Sequence, residues 1–295
     1  MTVKYNFTND LMFKEALKRC PKGAIKLVKE FVPDLKDIDI NEKVIFLKEQ
    51  NILSLDISTT IFDVNLQIAN NLIELEMQNQ DRGYTMQNRM LKYIADMINN
   101  SYEKDKDYEH KPCYSVWFLG FRLFNDENSY HSFEFYDKEN NISLVNDTKV
   151  ICVEFAKFTE LDYNNKWYKL FKTYDLNSLK GDDLIMNELV DNIKNLNEDE
   201  EFVLKIDAKE KAERERRAHY EGSMRKARKE GLEQGLKEGR ELGLEQGLEQ
   251  GHKQGLEQGI EQGKIDVAKN LKSMGLSIDQ IVKATGLSKE EIESL

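Results

Sequence analysis

The feature that most restricts this chain is a line of glycines at a fixed interval of four. They stand at Gly231, Gly235, Gly239, Gly243, Gly247, Gly251, Gly255, Gly259 and Gly263, and account for most of the 16 glycines in 295 residues. A helix has 3.6 residues per turn, so a period-four line drifts about 40° per repeat and winds about 320° over the run. A fixed coiled-coil seam, with its repeat of 3.5, is therefore excluded. Nine glycines also cost a helix roughly 9 kcal/mol against alanine, although the Leu, Glu and Gln between them are good helix formers. A lone helix of this kind is marginal in water. The run predicts a conditional long helix, steadied by close glycine contacts in a homo-oligomer, with a flexible spacer as the alternative.

Elsewhere glycine is sparse and there are only three prolines, which excludes collagen-like and low-complexity chains. The net charge of -11 argues against indiscriminate electrostatic binding of nucleic acid. It leaves room for a local basic groove, or for an acidic site whose charge a bound metal reverses. The start MTVKYNFTNDLMFK lacks the pattern of a signal peptide, and no stretch nears the roughly 20 apolar residues of a membrane span. Cys20, Cys113 and Cys152 are isolated, so neither a disulfide framework nor a zinc site is indicated. A cytoplasmic setting without a membrane partner is the expectation. His110, His131, His219 and His252 are not paired either, so any catalysis should rest on carboxylates.

Four regions follow from texture: a mixed α/β core over 1–160, a charged helical connection over 161–230, the repeat over 231–263, and a small helical module over 264–295. In the core, Asn9 or Asp10 starts a helix that Pro21 ends, and a second apolar series stops at Pro33. Val44 to Leu47 is a short apolar run. Ile61 to Ile68 alternates apolar with polar residues, as do Ile73, Leu75 and Met77 with Glu74, Glu76 and Gln78. A helix is expected from about Tyr84 to Tyr102, then strands at Tyr114 to Leu119, Ser132 to Tyr136 and Val150 to Phe155. The first of these is nearly continuous apolar, as for a strand covered on both faces.

Asn70 and Asn71 suit a two-residue hairpin turn, because Asn tolerates positive φ. On that register Asp63 lies opposite Gln78 and Asn65 opposite Glu76, all on one polar face. Glu76 is then a diagonal neighbour of Asp63, roughly 7–8 Å away. Carboxylates at that separation can converge on one hard cation, Mg²⁺ or Mn²⁺. The plainer alternative is that these residues are the outward side of a half-exposed strand. Asp56, in LSLDIS, competes for the role of first acid.

The segment LDISTTIFDVNLQIANNLIELEMQNQ resembles the signature of the Rpn family of recombination-promoting nucleases, transposase-like members of the PD-(D/E)XK nuclease superfamily. The opening TNDLMFKEAL, RMLKY with Arg89 and Tyr93, VEFAKF (Val153 to Phe158) and the glycine-periodic tail extend the likeness over nearly the whole chain. The resemblance implies a restriction-endonuclease-like α/β core, a mixed central sheet flanked by helices, that cuts DNA with a divalent metal. It implies Asp63 as first acidic ligand and Glu76 as second. Gln78 takes the position of the superfamily's lysine, and Glu15 or Asp10 on the first helix is a possible assisting acid. Arg89 and Lys92 are candidates for DNA phosphate contacts, the alternative being a surface pair beside Asp96. The expected activity is metal-assisted phosphodiester hydrolysis in recombination, mobile-element biology or defence. A neutral Gln78 leaves open the alternative of a degenerate nuclease fold that only binds DNA or protein.

The remaining motifs read as structure. Glu154 and Lys157 belong to core edge and surface, and Trp117 and Phe118 to the core. Ala208 to Glu230 is the most basic stretch, either a solvated helix face or a phosphate-contacting arm. The tail should hold two or three short helices, with Ser277 and Ser288 as N-caps and Gly275 and Gly286 at helix ends. Its acidic last helix suits an oligomer cap better than a DNA major groove. The resemblance also suggests a separately made C-terminal protein, for which Met224 is an available start.

Overall fold

The computed structural model describes residues 2–47, 63–80, 86–102, 109–145 and 147–295. Helix α1 (Asp10–Arg19) starts where the Asn9 side chain accepts the Met12 N–H at 3.2 Å, and α2 (Pro21–Phe31) opens on proline. Proline is tolerated there because the first N–H groups of a helix have no internal partner. Strands β1 (Val44–Phe46), β2 (Val64–Ile68) and β3 (Asn71–Gln78) come next, then helix α3 (Met86–Ser101). The expected beginning of α3 near Tyr84 lies outside the described residues, as does Asp56.

Five strands follow: β4 (Cys113–Leu119), β5 (Tyr130–Glu134), β6 (Tyr136–Asp137), β7 (Ile142–Ser143) and β8 (Thr148–Val153). Among the described residues, six of these eight strands form one sheet in the order β1-β2-β3-β4-β8-β5, parallel at β3–β4 and β4–β8 and antiparallel elsewhere. Helix α3 lies in the connection that two parallel neighbours, β3 and β4, require. The fold is thus the expected mixed α/β sheet flanked by helices. Two strands run two residues earlier than expected, because the chain leaves the sheet after Val153 into a single 3-10 turn, Phe155–Lys157. The small β6–β7 hairpin was not foreseen; it turns through Asn141 at φ 57°, a conformation Asn adopts more readily than most residues.

One sheet face carries Ile73, Leu75, Val116, Phe118 and Ile151, packed with Phe13 of α1, Phe31 of α2 and residues of α4 (Lys166–Leu170) and α5 (Leu184–Glu198). Phe118 stacks on Phe171 at 4.9 Å and meets Phe31 edge-on at 5.3 Å. Each such ring buries apolar area worth ~1.5–3 kcal/mol, with ~0.5–1.5 kcal/mol more per well-placed pair. The opposite face is covered by α3, whose Met86, Met90, Tyr93 and Met97 lie over Trp117, Leu119 and Cys152. With both faces covered, every residue of β4 is buried, as its apolar run indicated. The same cover falls on β3 and removes the plainer alternative of a half-exposed outward face there: Glu74 and Glu76 are fully buried. Trp117 and Phe118 are core residues, and the three cysteines are free and buried.

The chain divides into two compact units, residues 1–210 and 211–295. Helix α6 (Glu200–Ser273) contributes its first turns to the former. There Ile206 is buried in the core, Asp207 accepts from Lys4 at 2.8 Å and from the Tyr5 hydroxyl, and Lys209 pairs with Asp10. In the second unit the whole glycine run is helical, and a methyl group placed on any of the nine glycines meets nothing within 4 Å among the described residues beyond the helix's own backbone. Beyond it, α7 (Ile278–Thr285) and α8 (Lys289–Ser294) begin with capping boxes at Ser277 and Ser288. Gly275 and Gly286 take positive φ at 82° and 74°, as helix-ending glycines do. Ala268, Ile281, Leu287 and Ile292 form the module's small core. Among the described residues, no helix is long and apolar enough to cross a membrane.

A candidate carboxylate site on the central sheet

The β2–β3 ladder pairs Ile68 with Asn71 and Val64 with Leu75. The turn is therefore Ala69–Asn70, one residue before the expected Asn70–Asn71, with Ala69 at φ 51°. Side chains hold it: Asn71 donates to the Ile68 carbonyl at 3.2 Å and Gln67 to the Ala69 carbonyl at 3.1 Å. The shift corrects the site. Asn65 faces Glu74 rather than Glu76, and continuing the register by one step sets Asp63 against Glu76, not Gln78. Two bonds fix that meeting. The Asp63 N–H donates to Glu76 Oε1 at 2.9 Å, and the Met77 N–H donates to Asp63 Oδ2 at 3.0 Å.

Around this pair the α3 face of the sheet gathers further polar groups. Gln78 Nε2 donates to Glu76 Oε2 at 3.3 Å. Arg89 Nη2 reaches the same oxygen at 3.3 Å, while its Nε and Nη2 donate to the Tyr93 hydroxyl at 3.0 and 2.7 Å. The guanidinium lies 4.8 Å from the Tyr93 ring centre and 5.3 Å from that of Trp117, within reach of both π faces. Two residues back along β3, Glu74 Oε2 accepts from Ser115 Oγ at 2.6 Å, and Ser115 Oγ accepts from Trp117 Nε1 at 2.8 Å. Glu74 Oε1 and Arg89 Nη1 are buried and have no hydrogen-bond partner among the described residues.

The electrostatics follow from burial and like charge. Burial pushes Glu76 up to about 8, and the Asp63 charge opposite adds to the shift. Burial raises Asp63 to about 6; the Met77 N–H, Lys209 and Arg89 counteract it while Asp10 reinforces it. Glu74 rises well above the carboxylate range through burial and then through Glu76. Burial works against the Arg89 charge, yet Glu76 beside it holds the guanidinium above its ordinary value. Among the described residues, three acids thus share one close guanidinium. Two opposed carboxylates with a shortage of positive charge are the chemistry a hard divalent cation fits. No group of three or more His, Cys, Asp or Glu side chains suited to a metal occurs among the described residues. Asp63 and Glu76 would therefore need water or substrate oxygens to complete a shell.

Asp63, Glu76 and Gln78 come together in the structure, and Arg89, read from the sequence as a phosphate contact or a surface pair beside Asp96, instead turns inward onto Glu76. Asp10 joins at the rim through its ion pair with Lys209, but Glu15 is engaged by Arg19 on its own helix at 3.2 Å. Lys92 stands three residues beyond Arg89, half-buried. Lys157 is not a surface residue: it pairs with the fully buried Glu154, whose other oxygen accepts the Phe124 N–H at 2.9 Å. Glu74, Ser115 and Lys209 were not singled out. For Glu74 the signal was present, since a strand beside the wholly apolar Tyr114–Leu119 run shares its cover. Lys209 lay in a stretch that reads as solvated helix.

A family model for the PD-(D/E)XK nuclease family transposase matches residues 9–226. No curated protein and no solved structure matches the chain. The family match spans the sheet, the carboxylate cluster and the first turns of α6, and on it the chain belongs to the PD-(D/E)XK nuclease family transposases.

Proposed function

We propose that the chain is a divalent-metal-dependent DNA endonuclease, promoting recombination in the manner of transposase-like nucleases and working in the cytoplasm. The observation that carries this reading is the direct opposition of Asp63 and Glu76 across the hairpin ladder, hydrogen-bonded through Asp63 N–H at 2.9 Å. These two side chains would hold Mg²⁺ or Mn²⁺, which when bound supplies positive charge to the scissile phosphate and a more acidic water. Asp63 is the half-buried member of the pair, while Glu76 is fully buried and held by Gln78 and Arg89. Gln78 can orient a water through its amide but adds no charge. Lys92 and the basic stretch 208–230 are the phosphate contacts this reading uses. The glycine run and the helical tail join copies of the chain into a homo-oligomer.

A second reading is supported by one observation: Arg89 already occupies Glu76 Oε2. On that reading the fold binds DNA or protein without cutting. Supercoiled plasmid incubated with MgCl₂ and wild type, Asp63→Ala or Glu76→Ala separates the two. Nicking or linearisation is expected from wild type, with a loss of at least ~100-fold in either variant. Equal cutting by all three removes the site assignment. Absence of cutting together with retained DNA retardation in a gel favours the second reading.

A further inference from the structure

We propose that Arg89 is a resident counter-ion of the Asp63–Glu76 site, which releases Glu76 to an incoming divalent cation and takes up Glu74 instead. The inference rests on the cation reading of that carboxylate pair and assigns Arg89 and Glu74 positioning roles within it. Phosphate contact, the role suggested by the sequence, is thereby replaced by an inward one.

Arg89 is anchored mainly by something other than Glu76. Its contact with Glu76 Oε2 is 3.3 Å, long for an ion pair, for which 2.7–2.9 Å is usual. Its contact with the Tyr93 hydroxyl is 2.7 Å, and its plane lies near two aromatic rings. The guanidinium can therefore give up the carboxylate while Tyr93, four residues along the same helix, keeps hold of it. A cation beside Glu76 would also repel Arg89 from the shared oxygen.

A receiving group stands ready. Glu74 sits two residues from Glu76 on the same face of β3, roughly 7 Å along the strand. Its Oε2 is fixed by Ser115, and its Oε1 is buried and without a hydrogen-bond partner among the described residues. Arg89 Nη1 is the matching buried donor, likewise without a partner among the described residues. An unpartnered acceptor and an unpartnered donor in one buried cluster are costly separately and satisfied together. After the exchange each of the three acids has a cationic partner: Asp63 and Glu76 the metal, Glu74 the guanidinium. Trp117 reports the step, since it touches Arg89 with its ring and reaches Glu74 through Ser115.

The test uses the full chain with Trp167 replaced by Phe, leaving Trp117 as the fluorophore, and MgCl₂ alone as titrant without DNA. Calorimetry gives the Mg²⁺ affinity, and tryptophan emission follows the arginine. Removing a competing resident charge in Arg89→Gln should tighten Mg²⁺ binding roughly tenfold. Mg²⁺ should shift Trp117 emission with Arg89 present and leave it unmoved in Arg89→Gln. Glu74→Gln should bind Mg²⁺ while losing most of the emission shift. If Arg89→Gln does not fold, Arg89→Met serves: it keeps an apolar stem against the Tyr93 and Trp117 rings without the charge, so affinity rises and the emission shift is lost. Equal or weaker Mg²⁺ binding in the Arg89 variant, or an unmoved Trp117 at saturation with Arg89 present, overturns the counter-ion role and leaves the metal site standing. Failure of Mg²⁺ to bind any of the proteins overturns both together.

Discussion

At the scale of single residues, the site is defined by carboxyl groups that the fold makes hard to ionise. Asp63 rises from 3.8 to about 6 and Glu76 from 4.5 to about 8, with burial the larger cause in each. A carboxyl whose folded value exceeds its unfolded one binds its proton more tightly in the folded chain. Its contribution to stability is therefore present at low pH and is lost as pH climbs from the unfolded values through the folded ones. Facing these two are Glu74 on β3, Arg89 and Tyr93 on α3, Asp10 on α1 and Lys209 on α6, none of which reverses the direction. Carboxyls shifted the other way, Asp126, Asp137, Asp183 and Glu291, act below their ordinary values and leave the window from pH 5 to 8 clear. Metal-free protein should therefore melt at progressively lower temperature from pH 5 to 8.5, by on the order of a few kcal/mol in stability. In Glu76→Gln the slope should flatten, because the amide has no proton to lose. A melting temperature that climbs over this interval would mean that Glu76 is ionised without penalty and that the cluster is not as enclosed as described.

At the scale of elements, the glycine helix poses the sharper question. Among the described residues, nothing beyond the helix's own backbone approaches within 4 Å of a methyl placed at any of its nine glycines, while Leu232, Leu236, Leu244 and Leu248 beside them are two-thirds exposed. Within one chain, Gly→Ala at 243, 247 and 251 should add helix stability of about 3 kcal/mol without a clash. If the glycines instead admit a second copy, the triple variant should lose self-association in sedimentation, its mass falling toward the monomer. That loss is the expected result. Slower amide exchange over 235–259 with an unchanged mass removes the glycine-contact reading. The helix itself was legible because Leu, Glu and Gln fill the spaces between glycines; its partner is not, since the repeat carries no fixed seam. The β2–β3 hairpin marks a different limit. Alternation of polar and apolar residues fixes which face each side chain takes, but pairings that differ by two in their position sums leave every face unchanged. Ala69–Asn70 and Asn70–Asn71 are therefore equally consistent with the pattern. Asn's tolerance of positive φ favours the wrong one, and the Asn71 and Gln67 side-chain bonds that select the right one are tertiary detail. That one-residue shift moved Glu76 from a diagonal neighbour of Asp63 to its partner across the ladder.

At the scale of the whole molecule, the carboxylate site draws on both ends of the first compact unit. The hairpin supplies Asp63 and Glu76, but Asp10 beside them is paired to Lys209, nearly two hundred positions later. The same first turns of α6 bury Ile206 at 1% exposure and bring Asp207 to Lys4 and Tyr5. Loss of one buried Ile side chain alone costs ~2–5 kcal/mol, whereas the two partly exposed ion pairs add little. The turns over 200–210 are therefore part of the nuclease core, although their sequence is continuous with a solvated basic helix. A chain ending at Glu230 keeps all of these groups, and its core should melt within about 2 °C of the full chain. One ending at Asp199 loses Ile206, Asp207 and Lys209 together and should melt roughly 10 °C lower, since 1 kcal/mol moves a domain of this size by about 2–4 °C. Calorimetry of the two truncated proteins reads the difference directly. Equal melting temperatures would show that α6 merely adjoins the core. A lower value for the shorter chain would place the structural end of the nuclease within α6, ahead of the glycine run rather than at the last strand.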